Sequence, residues 1–345
     1  MAKDSAVKKR CDLFIDNCFY YPERLRVFAQ GDSWLALPGG LWDGKNVVEH
    51  LNSKDWVASK DGGPPLNVLS VALPGQRLET MSGDSNLHYA MTYLQLRSEQ
   101  TGVPYQFDAV MLTGGGNDIL ENPRALIAGD GNGDGQVRMD VVAATMERVK
   151  AAWQSLFNIF SPWNVPILSH GYGPIIPTTV PAPIRIPFKT IGPWVGPYLL
   201  TELGIPPLRA RALVAEVLDY FNTTLQGIAG LTYFDVRAIV ATVAARDWHD
   251  EIHFLEPGWD ALSSAWLSAL RRVAVQARKA SAPRLAYLTT RAMHKVLAPD
   301  LAKAMSTTPR AVAKMMRKKK TPAKKRRPPE KSTAKGKVGS RKKRG

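Results

Sequence analysis

Arg26-Val27-Phe28-Ala29-Gln30 runs directly into Gly31-Asp32-Ser33-Trp34. Its apolar centre reads as a short buried strand that stops at the glycine. The pattern recurs downstream. Asn67 to Leu73 (NVLSVAL) ends in Pro74-Gly75, and Phe107 to Thr113 (FDAVMLT) ends in three glycines followed by Asn117-Asp118. Val165 to Ser169 (VPILS) and Leu231 to Val236 (LTYFDV) read as two further strands. Unbroken apolar runs, as opposed to alternating ones, suit strands covered on both faces. Helical patterns lie between them over 84–101, 138–160 and 208–228, and a last one spans 257–273, where Trp259, Leu262, Trp266 and Leu270 recur at helical spacing. Strands alternating with helices predict an α/β protein with a parallel sheet. Such sheets bind ligands at the carboxyl ends of their strands. Ser33, Gly75 and Asn117 each lie just past a strand end, so three distant parts of the chain are expected on one rim.

The chain has 345 residues, 45% of them hydrophobic, and a formal net charge of +16. Almost all of that charge sits in residues 314–345, which hold sixteen Lys or Arg and one acid, Glu330. The rest is nearly neutral. A near-neutral body able to bury a core is therefore joined to a basic tail that cannot, and the tail is expected to be disordered. Residues 1–290 read as the folded domain, 291–313 as a short helical linker and 314–345 as the tail. Two cysteines, Cys11 and Cys18, are too few for a disulfide framework and read as reduced thiols. The first apolar stretch is broken by Asp12 and Asp16 and lacks a small-residue cleavage site, so a cytoplasmic protein without a signal peptide or transmembrane segment is expected.

Acyl transfer to a serine needs a nucleophile, a base, a carboxylate that orients the base, and donors for the oxyanion. Of six histidines, at 50, 88, 170, 249, 253 and 294, only His253 follows a carboxylate by three residues and lies between a strand–loop and a helix. That spacing lets Asp250 reach back to its Nδ1 and leaves Nε2 facing a serine across the rim. His249, flanked by Asp247 and Asp250, is the nearest competitor, and His170 follows the fourth strand and would border the pocket. The tripeptide Gly31-Asp32-Ser33 has a twin in Gly83-Asp84-Ser85. The twin follows a polar stretch and leads into a helical run, which suits a turn or helix cap. Ser33 is the predicted nucleophile.

These blocks resemble the GDSL/SGNH hydrolases, a family of serine esterases and lipases. Gly31-Asp32-Ser33-Trp34 is similar to the first block of that family, with Trp34 where leucine is usual. Gly75 resembles the second block, Gly115-Gly116-Asn117-Asp118 the third and Asp250-Glu251-Ile252-His253 the fourth. The likeness covers residues 25–275, apart from 171–207. It implies a flavodoxin-like three-layer α/β/α fold and hydrolysis of an ester-type bond without a cofactor or a metal. Ser33 would attack, His253 act as base and then acid, and Asp250 hold the imidazole. The N–H groups of Ser33 and Gly75 and the Asn117 amide would form the oxyanion hole. The substrate class expected is a small-molecule or lipid ester; carbohydrate deacetylation, thioester hydrolysis and acyl transfer to an alcohol are compatible with the same blocks.

Three segments stand outside the blocks. Residues 171–207 are rich in proline and large apolar side chains, which excludes a long regular element and suits a loop or cap over the site, or else a meandering connection packed on the flank of the domain. Asp130-Gly131-Asn132-Gly133-Asp134-Gly135 looks like the first half of a calcium loop, but the closing acid expected at the twelfth position is Val141, so a surface turn is the preferred reading. The tail would attract polyanions, nucleic acid or an anionic membrane surface, without base specificity. This leaves a second class of function, a polyanion-binding protein with a hydrolase-like scaffold. The oligomeric state is not encoded in any of these features.

Overall fold

The computed structural model describes residues 2–37, 44–102, 105–183 and 190–273. The chain divides into two units, Met1–Ala292 and Met293–Gly345, and the second lies outside the described residues. So do the predicted linker 291–313 and the basic tail 314–345.

Five parallel strands form the central sheet: β1 (Arg26–Gln30), β2 (Asn67–Ser70), β3 (Ala109–Leu112), β4 (Ile167–His170) and β5 (Leu231–Phe234). Their order is β2-β1-β3-β4-β5, the flavodoxin-like order whose switch point lies between the first and third strands. Register is set by apolar residues opposite one another, with Phe28 paired to Leu69 on one side and to Val110 on the other. β2, β3 and β4 are buried throughout and β1 is buried after Arg26, whereas the edge strand β5 is only partly covered.

Helices cover both faces of the sheet, giving three layers. One layer is built from α1 (Ala2–Tyr20), α2 (Ser85–Thr101), α3 (Met139–Phe160) and α4 (Pro207–Gln226). The other holds the short helices Val47–Asn52 and Lys54–Asp61 together with the helix through 256–273. His50 Nε2 and Glu256 Oε1, 2.8 Å apart, and the Trp56 indole donating to Asp260 at 2.7 Å tie that second layer together. The helical patterns at 84–101, 138–160, 208–228 and 257–273 agree with these elements to within one or two residues. Sequence patterning missed α1. Its buried residues Val7, Cys11, Phe14 and Ile15 are spaced as one helix face, and Phe14 stacks on Phe107 with ring centroids 5.0 Å apart. The Asp12 and Asp16 that interrupt the apolar run lie off this stripe, and Tyr93 of α2 donates its hydroxyl to Asp12 at 2.5 Å. Cys11 and Cys18 are not joined in a disulfide. Among the described residues no helix is long and apolar enough to cross a membrane.

Candidate active site

Every strand of the sheet feeds the same rim. Ser33 follows β1, Gly75 follows β2, Asn117 follows β3, His170 ends β4, and Asp250 and His253 lie beyond β5. Asp32 caps the four-residue helix Ser33–Ala36, its Oδ1 accepting the Trp34 N–H at 3.0 Å, which puts Ser33 on the first helical turn. Ser33 Oγ lies 2.8 Å from His253 Nε2, and His253 Nδ1 lies 2.7 Å from Asp250 Oδ2. An ionised carboxylate only accepts, so Nδ1 carries the proton it gives to Asp250 and Nε2 is the acceptor facing Ser33.

The three-residue spacing between Asp250 and His253 has a physical basis. Asp250 Oδ1 accepts the N–H groups of Ile252 and His253, both at 2.8 Å, which folds the turn that returns the imidazole to Oδ2. The carboxylate thus builds the loop with one oxygen and orients the ring with the other. Burial alone would raise the Asp250 carboxyl. The charge of His253 and hydrogen bonds from His249, His253 and Ile252 outweigh that and hold it well below the usual carboxylate range. Asp250 is an anion at neutral pH.

A second buried carboxylate lies beside the serine. Asp32 is 1% exposed and accepts from the Trp34 N–H, the Thr113 hydroxyl at 3.1 Å and the Tyr172 hydroxyl. Burial pushes its carboxyl up, against the pull of those three donors. Asn222 holds Tyr172 by its main chain, accepting its N–H at 3.0 Å and donating to its carbonyl at 2.9 Å. The loop after β2 and the turn after β3 are fastened to each other. The Asn117 amide donates to the Gln76 carbonyl at 3.0 Å, and Asp118 Oδ2 accepts the Leu78 N–H at 2.9 Å. Gly75 adopts φ +72° in that loop. The predicted oxyanion donors therefore occupy adjoining loops, with the Asn117 amide turned onto the residue after Gly75.

Other candidates have different surroundings. Ser85 is exposed on the first turn of α2, and Asp84 is the cap, accepting the N–H groups of Asn86 and Leu87. His249 Nδ1 stands 3.5 Å from Asp250 Oδ2, a looser approach than that of His253. His170 is 1% exposed and lies among Trp34, Phe234 and Trp266. Burial lowers it to about 4, so it is neutral at pH 7 and is a core residue under the rim. Trp34 is buried against Tyr172, Phe254 and Trp259, which explains how the rim accommodates it in place of leucine. Asp130 Oδ1 accepts the N–H groups of Asn132 at 2.9 Å and Asp134 at 3.2 Å, so that carboxylate is turned onto its own loop. Among the described residues no cluster of three or more His, Cys, Asp or Glu is arranged to hold a metal ion.

Glu251, Tyr172 and Gln76 touch this machinery, and sequence patterning does not single them out. Glu251 sits inside the Asp250–His253 block, yet its position there gives no sign of its partners. They come from the segment 171–207, described over 171–183 and 190–207. The ring of Trp194, in that segment, lies 5.7 Å from the His253 ring at an interplanar angle of 72°.

No protein-family model matches the chain, and no curated protein matches its sequence. Among solved structures, the chain is similar to a lipase from a goat rumen metagenome, at 14% identity and a TM-score of 0.44 over 71% of this chain and 97% of that one. It is similar to an acetylxylan esterase from Geobacillus stearothermophilus, at 14% identity and a TM-score of 0.33 over 71% of this chain and 94% of that one. A GDSL-like lipase from Bacteroides thetaiotaomicron is similar at 10% identity, with a TM-score of 0.36 over 78% of this chain and 98% of that one.

Proposed function

We propose that this chain is a serine hydrolase of the GDSL/SGNH type that cleaves a carboxylic ester through an acyl-enzyme on Ser33. The observation that carries this reading is the unbroken hydrogen-bond relay from Ser33 Oγ through the His253 imidazole to the Asp250 carboxylate, at 2.8 and 2.7 Å. These distances suit proton transfer as they stand. Ser33 Oγ attacks the ester carbonyl as its proton passes to His253 Nε2. The resulting imidazolium is held by ionised Asp250, and the carbonyl oxygen becomes an oxyanion facing the N–H groups of Ser33 and Gly75 and the Asn117 amide. Collapse expels the alcohol, which takes the proton from Nε2. Water then enters by the same route, giving up a proton to Nε2, and its attack releases the carboxylic acid and restores the serine.

The buried Asp32 accounts for the shape of the nucleophile turn and not for a second base, because three donors already occupy its oxygens. A fluorophosphonate probe tests the reading directly. It should label the wild-type chain on Ser33, and S33A should remain unlabelled. Hydrolysis of acetyl to octanoyl esters should run in parallel with labelling. A folded wild-type protein that neither labels nor turns over any of them would rule the reading out.

A further inference from the structure

Glu251 is fully buried, yet it takes no part in the relay on either side of it. Its carboxylate accepts four main-chain N–H groups: Thr178 at 3.0 Å and Gly196 at 2.6 Å on Oε1, Trp194 at 2.5 Å and Val195 at 2.9 Å on Oε2. Its own carbonyl accepts the Ile176 N–H at 3.1 Å. Two stretches, 176–178 and 194–196, are stitched together around one side chain. They approach so closely that a Cβ on Gly196 would fall 1.8 Å from the Thr178 carbonyl oxygen. Glu251 stands two residues before His253, and the stretch it grips carries Trp194, whose ring flanks the imidazole.

We propose that Glu251 is a positioning residue that fixes Trp194 as the wall of the leaving-alcohol subsite, and so sets which alcohols the enzyme releases. The inference rests on the hydrolase reading above. Nε2 must hand its proton to the departing alcohol, so the alcohol lies on the imidazole side of Ser33. A side chain that flanks the imidazole borders that alcohol. Only a carboxylate offers acceptors on both oxygens. Glutamine would turn an NH2 toward two of the four N–H groups, and those buried donors would lose their partners. E251Q is therefore expected to release both stretches with little change in side-chain volume.

The test uses the full chain. Hydrogen exchange read by mass spectrometry compares wild type with E251Q over peptides spanning 176–178 and 194–196. Turnover compares ethyl and cyclohexylmethyl esters of the acyl group that wild type handles best, since their alcohols differ in bulk more than in acidity. E251Q should exchange faster in those two stretches by roughly tenfold or more, as expected of local opening. It should still label on Ser33, and the ratio of kcat/KM between the two esters should change by about tenfold, carried by KM of the bulky one. W194A should move the ratio in the same direction without disturbing the clamp. Unchanged exchange in E251Q overturns the clamp, and an unchanged ratio in both variants overturns the alcohol assignment. Should E251Q fail to fold, E251D takes its place in the exchange and turnover measurements beside W194A, and the same two outcomes overturn the clamp and the alcohol assignment. Wild type unlabelled on Ser33 defeats the hydrolase reading and the alcohol assignment with it, while the exchange data still decide whether Glu251 is a clamp.

Discussion

Gly31-Asp32-Ser33 and Gly83-Asp84-Ser85 are the same three residues with two different fates. Locally they do the same thing: each aspartate caps a helix and each serine opens its first turn. The surroundings separate them. A Cβ on Gly31 would fall 2.2 Å from Thr113 Oγ1, whereas on Gly83 its nearest contact would be the Thr80 carbonyl oxygen at 3.8 Å. Asp32 is enclosed with Tyr172 and Thr113, and Ser33 meets His253. Asp84 is half-buried and Ser85 is exposed at the start of a seventeen-residue helix. The second copy still serves the rim at one remove: Asp84 Oδ2 accepts from the Gln76 amide at 2.5 Å, and Gln76 adjoins Gly75. A tripeptide specifies a cap. What faces the cap specifies its chemistry.

The sharpest way to break the comparison is to truncate each serine in turn. S33A should lower turnover by on the order of 10⁴–10⁶-fold, while S85A should leave it unchanged; comparable losses in both would erase the distinction. Next in size is the donor expected to meet the oxyanion. N117A should lower kcat by roughly 10²–10³-fold with little change in KM, read from steady-state kinetics. The core under the first copy gives a pH signature. His170 has its folded value lowered to about 4, so the unfolded chain binds the extra proton first, and stability falls as pH drops from the ordinary histidine range toward that value. Urea unfolding at pH 7.5 and 4.5 should show wild type losing about 2 kcal/mol more than H170F over that interval. The smallest effect belongs to the second copy. D84A removes the α2 cap and should cost about 1 kcal/mol, seen as a lower Tm, with the Ser33 relay intact.

Much of the fold was legible because it is written in short-range patterns. Apolar runs, three of them ending at a glycine, located all five sheet strands, and helical periodicity found α2, α3, α4 and the helix through 256–273. α1 was missed because its charges interrupt the run when it is read linearly; on a helix they fall beside the buried stripe of Val7, Cys11, Phe14 and Ile15. β5 carries an apolar run yet is only partly buried, whereas β2 at the opposite edge is buried throughout, its Asn67 amide donating to the Phe14 carbonyl of α1 at 3.0 Å.

At the rim, the spacing between Asp250 and His253 was readable since one carboxylate can fold a three-residue turn and hold the ring it returns. Glu251 was not, although it lies inside the same turn. Its four partners come from stretches 55 to 73 residues away along the chain, and main-chain N–H groups leave no mark on side-chain identity. His170 was placed by its strand at the edge of a pocket, and the aromatic rings packed around it put it in the core.

By itself the sequence determined the strand-and-turn scaffold, the order of the blocks along it and the local turns that present Ser33 and His253, because these depend on residues a few positions apart. Only the tertiary structure decided which of two identical tripeptides meets a histidine, where His170 lies, and that Glu251 grips a distant stretch beside the imidazole. Those outcomes are contacts between residues far apart in the chain, fixed when the sheet brings its strand ends to one rim.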